Sequence, residues 1–267
     1  MKKTTTLMFA LVISTTVFAK KDYYQASIGL NGFALKTKLK EIVSNGHRDR
    51  GYSALYDYYF ESDADHTYDG DGSVVDMYSE NPNGSDPYVF SNRRDQCGNY
   101  RKESDCFNRE HLFPQSIFNK RYPMRSDFFQ VYPTDGMVNN RRGSLPFGEV
   151  SHAYWTSKNG SKVGNNTTPG YSGRVFEPID EFKGDIARAL LYFGTRYEDK
   201  IGNWNHAMLS HDKHTAYANW FVQLLLKWHK QDPVSQHEIT RNEYGFKFQG
   251  NRNPYIDHPE FVEKIWK

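Results

Sequence analysis

Several things are scarce in this sequence. Of its 267 residues only two are cysteine, Cys97 and Cys106, so no second cysteine pair exists to build a thiolate zinc site. Neither sign of charge dominates: 34 Lys and Arg stand against 32 Asp and Glu. That balance excludes a non-specific nucleic-acid binder held by a broad basic surface, and any polyanion binding must be local. Beyond the first nineteen residues no apolar run approaches the length needed to cross a bilayer. The chain also has no HExxH, no GxSxG elbow, no Walker loop and no GxGxxG. It shows no internal repeat, long low-complexity tract or clear linker, and a chain of this length fits one well-cored domain.

The opening segment MKKTTTLMFALVISTTVFA has two lysines, an apolar run, and Val17 and Ala19 at the small-residue spacing of a signal-peptidase site. Residues 1–19 are therefore expected to be a signal peptide and residues 20–267 the mature domain, secreted or periplasmic. Loss of Lys2 and Lys3 with the leader would leave the two charge signs balanced. An oxidising compartment permits a disulfide, so Cys97 and Cys106 are expected to pair. Closing so short a loop contributes roughly 2–3 kcal/mol and braces the chain just before Asn108.

Apolar residues at helical spacing in LKTKLKEIV predict a first helix that stops at Gly46. The following segment is rich in aromatics and turn residues, with a short strand expected around Val74 to Tyr78. Its cluster Asp63, Asp65, Asp69 and Asp71 resembles a calcium loop, but the spacing misses the D-x-[DN]-x-[DN]-G register, and a solvated turn is the expectation. DFFQVYP reads as a strand, and 159–172, rich in Gly, Asn, Ser and Thr, reads as a loop. The last third is helical: Asp185 to Tyr197 and Thr215 to Lys230 carry apolar stripes, and Ser235 with Glu238 forms a capping box after Pro233. The expected fold class is α+β.

Chemistry-bearing residues concentrate between Arg109 and Arg142. There Arg109, Glu110, His111, Lys120, Arg121, Arg125, Asp127, Asn139, Asn140, Arg141 and Arg142 interleave with Phe and Tyr. Phosphodiester hydrolysis needs a deprotonated water and positive charge on the phosphate oxygens. A neutral histidine serves the first need as general base. A hard cation such as Mg²⁺ takes oxygen donors, for which a carboxylate and an amide carbonyl such as Glu110 and Asn139 are suited. Against this, neighbours on a strand face opposite ways, so Glu110 and His111 share one site only at a strand end or bend. The residues alone leave both a metal-dependent site and a solvated charged strand open. His206, His211 and His214 could form a separate metal site, although exposed polar residues before a helix are the plainer reading.

The stretches NREHLFPQSIF, SDFFQVYPTDGMVNNRRGSLPFGEV, VFEPIDEFKGDIARALLYFGTRY and QGNRNPYIDHPEFV, in that order from about Leu35 to the C-terminus, resemble the secreted bacterial endonuclease I family of His-Me finger nucleases. The resemblance implies a ββα-metal core with additional helices in the C-terminal third and one Mg²⁺, for which Mn²⁺ or Ca²⁺ would substitute. It makes His111 the general base and Glu110 and Asn139, after Val138, the metal ligands. It implies 5′-phosphorylated products from DNA, RNA or both. Arg121 is the candidate phosphate clamp, and Arg109, Lys120, Arg125, Arg141 and Arg142 are candidate substrate contacts, chiefly to the phosphate backbone. A monomer with no membrane partner is expected. Phe129 and Gln130 depart from the family pattern, in which many relatives carry an imidazole after the Ser-Asp pair. That departure motivates the alternative of a catalytically impaired nucleic-acid-binding module.

Overall fold

The first helix, α1 (Gly32–Ser44), buries Leu35, Leu39 and Val43 on one stripe, and Gly46 ends it at φ +77°, a conformation that favours glycine. A short helix, α2 (Ala54–Ser62), follows. These elements come from a computed structural model that describes residues 23–267; the expected leader lies outside the described residues. Strand β1 (Phe107–His111) pairs antiparallel with β2 (Val131–Asp135), with Glu110 opposite Tyr132 and His111 opposite Val131. Helix α3 (Gly136–Arg142) leaves β2 directly. This is the expected ββα unit inside an α+β fold.

A second sheet is made of β3 (Val150–Thr156), β4 (Lys162–Asn166) and β5 (Arg174–Glu177), all antiparallel. The expectation of a loop over 159–172 is thus corrected, since β4 is its middle strand. The residue that allows this is Gly164: a Cβ there would stand 2.2 Å from the His152 carbonyl oxygen, so only glycine lets β3 approach so closely. The strand expected around Val74 to Tyr78 is also corrected. Only Val74 bridges, to Ala64. After it Asp76 closes a turn, its Oδ1 accepting from the Tyr78 N–H at 2.8 Å and its carbonyl from the amides of Ser79 and Glu80. Local side-chain acceptors of this kind compete with the sheet ladder.

The longer helices of the last third are α4 (Lys183–Arg196), α5 (Asn219–Gln231), α6 (Gln236–Gln249) and α7 (Glu260–Trp266), with short helical turns at Glu198–Ile201 and Pro254–Asp257. The expected capping box opens α6, with Ser235 and Glu238 exchanging bonds. Helix α5 begins at Asn219, later than expected from Thr215, because Tyr217 pairs with Leu209 and Ala216 adopts φ +60°. Among the described residues no helix is long and apolar enough to cross a membrane.

Helix α4 is the centre of the core, buried from Lys183 to Thr195. Its Phe193 stacks at 4.3 Å on Phe113, two residues beyond β1. Phe129 is 1% exposed, edge-on to Tyr192 at 5.1 Å and pressed against Gly245. The family departure at Phe129 is therefore filled by core packing. A Cβ on Gly245 would meet Phe129 Cζ at 2.4 Å. Gly245→Ala should cost about 1–3 kcal/mol by overpacking, measured as a drop in the urea midpoint; unchanged stability would show that contact to be slack.

Candidate active site

The hairpin is fixed at its open end before any functional group appears. Cys97 and Cys106 form the expected disulfide, and the Cys97 N–H donates to the Phe107 carbonyl at 3.2 Å. Asp135 caps α3 by accepting from the Val138 N–H at 2.9 Å, a standard way to satisfy a helix N-terminus. The Asp135 amide in turn donates to buried Asp76 at 2.8 Å. Strand β1 and helix α3 are thus held against each other, and α3 presents Asn139 and Arg142 toward β1.

Glu110 is 2% exposed. Its Oε1 accepts from the Tyr78 hydroxyl and from Arg142 Nη1, both at 3.0 Å. Arg142 also donates to the carbonyls of His111 (2.7 Å) and Leu112 (2.6 Å), and it lies 4.5 Å from the Phe147 ring centroid. Burial pushes the Glu110 carboxyl up to about 7 against the opposing pull of Arg142 and Tyr78. Neighbouring groups therefore leave part of the burial cost of its charge uncompensated, and both of these side-chain bonds fall on Oε1.

Next along β1, His111 ends the strand, 4% exposed. Its Nε2 lies 2.9 Å from the Arg125 carbonyl oxygen. A carbonyl only accepts, so Nε2 carries the proton and the lone pair of the neutral ring is on Nδ1. Burial, aided by the charges of Arg125, Arg109 and Arg142, pushes the imidazole down to about 3 and keeps it neutral. The Tyr52 ring lies 5.5 Å away.

Asn139 Nδ2 donates to Asn108 Oδ1 at 2.7 Å, which engages its amide nitrogen and leaves its Oδ1 as a donor for a cation. Asn108 and Glu110 are two apart on β1 and share a face. Asn108, Glu110, His111 and Asn139 all line one open cleft of about 450 Å³. The strand stops at His111, and Glu110 and His111 both border the same cleft. A buried carboxylate and an amide oxygen form a hard-donor pair that fits Mg²⁺, Mn²⁺ or Ca²⁺.

The basic residues divide. Arg109 lines the cleft between Tyr52 and Tyr56, 3.4 and 3.9 Å from their ring centroids, and Lys120 lies on the rim. Arg125 stacks 4.5 Å from the Tyr52 centroid. Arg142 borders the cleft but spends its guanidinium on Glu110 and two carbonyls, so its expected role as a phosphate contact is corrected to one of positioning. Arg141 is exposed and leans toward Trp155 in a neighbouring groove. Arg121 is exposed, and neither it nor Arg125 lines the cleft, although the Arg125 carbonyl meets His111 and its guanidinium stacks on Tyr52. The histidine trio does not assemble: His206 Nε2 meets the Ser144 carbonyl, His214 stacks on Phe33, and His211 stands exposed on a φ +62° turn. Among the described residues the one tight carboxylate, Cys or His cluster is Asp65, Asp69 and Asp71. Sequence reasoning missed Tyr52, Tyr78 and Asn108; only Asn108 left a signal, its alternation with Glu110.

Residues 31–260 match the family described as endonuclease I. The chain is 32% identical to an extracellular ribonuclease of Bacillus amyloliquefaciens over 98% of this chain and 84% of that protein. It is also 32% identical to an extracellular ribonuclease of Bacillus subtilis (strain 168), over 97% and 83%. A periplasmic deoxyribonuclease of Aeromonas hydrophila is 28% identical over 52% of this chain and 49% of its own. The chain belongs to the endonuclease I family and is a phosphodiester hydrolase.

Removing the Arg142 guanidinium would strand a buried carboxylate. Arg142→Leu should cost about 3–5 kcal/mol, whereas Arg142→Leu with Glu110→Leu should cost less than the two single changes added together. Urea unfolding of the four proteins measures this coupling; strict additivity would show that the pair is not a unit.

Proposed function

We propose that this protein is an exported, divalent-metal-dependent, sequence-tolerant endonuclease in which His111 activates the attacking water. The observation that carries the reading is the bond from His111 Nε2 to the Arg125 carbonyl. It leaves Nδ1 unprotonated on a ring that borders the same cleft as Glu110 and Asn139.

In this reading His111 Nδ1 takes the proton of a water directed at phosphorus. Glu110 and Asn139 would hold the metal through their oxygens, with Arg142 and Tyr78 fixing the Glu110 carboxylate and Asn108 fixing the Asn139 amide. When bound there, Mg²⁺ would supply positive charge to the non-bridging and 3′ leaving oxygens of the phosphodiester. Arg109, Arg125 and Lys120 contact flanking phosphates, which carry no base identity, so cleavage is sequence-tolerant. The products carry 5′-phosphates. The two relatives that align along nearly the whole chain are named extracellular ribonucleases, and RNA is therefore proposed as a substrate beside DNA. Their names and that of the periplasmic deoxyribonuclease support action outside the cytoplasm.

The test is cleavage of matched single- and double-stranded DNA and RNA with and without Mg²⁺. His111→Ala should lower turnover by at least about 10²-fold while circular dichroism and melting show a folded protein. Asn139→Ala should raise the Mg²⁺ concentration needed for half-maximal rate, and EDTA should stop cleavage. Parental rates in His111→Ala, or cleavage in EDTA, would overturn the reading.

A further inference from the structure

Beside the cleft lies a second open groove, of about 520 Å³, bordered by strands of the β3–β5 sheet. Arg142, Gly143 and Ser144 line both, so the turn that follows α3 is their shared wall. The groove carries charge of one sign. Arg141 and Arg174 are exposed on its lining, no acidic residue lines it, and among the described residues neither arginine forms an ion pair. Its aromatics are Tyr154, 56% exposed, and half-buried Trp155, whose ring centroid is 5.8 Å from the Arg141 guanidinium.

Neighbours on a regular strand face opposite ways, yet Tyr154 and Trp155 border the same groove. The register explains this. Ala153 is opposite Gly164 and Trp155 is opposite Val163, so Tyr154 is the extra residue of a bulge, a device that re-aims side chains. The Tyr154 hydroxyl donates to Asn165 Oδ1, and Asn165 is paired across the sheet with Arg174. Ring and cation are thus set side by side. Trp155 packs against the core, but residues 151–154 are all exposed on this edge strand, so the ring at 154 adds nothing to the core.

Open aromatic faces and unpaired guanidiniums are the two components with which grooves hold single-stranded nucleic acid, bases on the rings and phosphates on the cations. In a duplex the base faces are covered by neighbouring pairs, so a ring on a protein surface stacks only on an unpaired base. We propose that this groove is a subsite for an unpaired stretch of nucleic acid flanking the scissile phosphate, its bases on Tyr154 and Trp155 and its phosphates on Arg141 and Arg174. The proposal rests on the nuclease reading above and adds a substrate class to it: single strands and loops before duplex. Every base has a face to stack, so the subsite tolerates any sequence.

The experiment measures binding of the full chain to a fluorescent oligonucleotide of about ten unpaired nucleotides, within the span of single-strand grooves. It is done in EDTA, so that it does not depend on turnover. Tyr154→Ala and Trp155→Ala should each raise Kd roughly five-fold or more, and Arg174→Gln should raise it and flatten its salt dependence. On an abasic strand of the same length, which keeps the phosphates and lacks the base faces, the aromatic changes should lose their effect and Arg174→Gln should keep its own. Tyr154 and Arg174 are exposed, so the comparison stands on them should Trp155→Ala fail to fold. With Mg²⁺, Tyr154→Ala should lower the ratio of kcat/KM on single strands to that on duplex. No effect of Tyr154→Ala, equal effects on base-bearing and abasic strands, or no parental binding up to roughly 10⁻⁴ M, the weak end of non-specific binding, would overturn the proposal. Tyr154-dependent binding by a protein that cleaves no nucleic acid would support the groove and sink the nuclease reading instead.

Discussion

One buried guanidinium ties the helix and strand of this nuclease core together. Arg142, on the last turn of α3, reaches across to the Glu110 carboxylate and to the carbonyls of His111 and Leu112. A buried ion pair of this kind contributes little net stability, because desolvation offsets the attraction. Its consequence is geometric. The carbonyls just where β1 ends are satisfied by a side chain instead of by another strand, so the ladder can stop at His111 without an unmade bond. The strand end is what lets two neighbours of opposite facing border one cleft.

The opposite side of His111 is set by a different network. Asp127, fully buried, accepts from Tyr197 at 2.7 Å, from Tyr192 at 3.0 Å and from Gln249 at 2.9 Å. Gln130 accepts from the Phe113 amide and donates to the Met124 carbonyl. These bonds pin the segment that carries the Arg125 carbonyl to helices α4 and α6. The imidazole tautomer thus depends on contacts made by the last third of the chain, far from the hairpin in sequence. Helices that read as plain core thus fix the one carbonyl oxygen against which the His111 ring is set.

What was legible in the sequence follows from the range of the forces involved. Helices α1, α4 and α5 announced themselves because a 3.6-residue stripe is a local pattern. The β3–β5 sheet did not, since its strands are short and polar and its pairing rests on the missing Cβ of Gly164. Glu110, His111 and Asn139 were singled out by an ordered family resemblance that composition alone would not supply, and all three line one cleft. Tyr78 and Tyr52 were not, because nothing near them in sequence says where a tyrosine hydroxyl or ring will end up. Arg142 was misread for a related reason: residue type reports charge, while only tertiary structure reports whether that charge faces solvent or a buried carboxylate.

The same distinction governs the electrostatics of the whole molecule. A chain with nearly balanced charge can hold a polyanion only by segregating its charges, and the structure does so by burial. Arg142, Arg188 and Arg241 are each paired inside with Glu or Asp, which removes them from the surface field. Among the described residues Arg109, Arg125 and Lys120 have no carboxylate partner of that kind; two of them stack on Tyr52. The cations on the cleft lining that are not tied up in such a pair are therefore Arg109 and Lys120. Because exposed charges are screened beyond about 10 Å at ordinary salt, these local groups, and not the formal charge of the chain, set the field at the cleft.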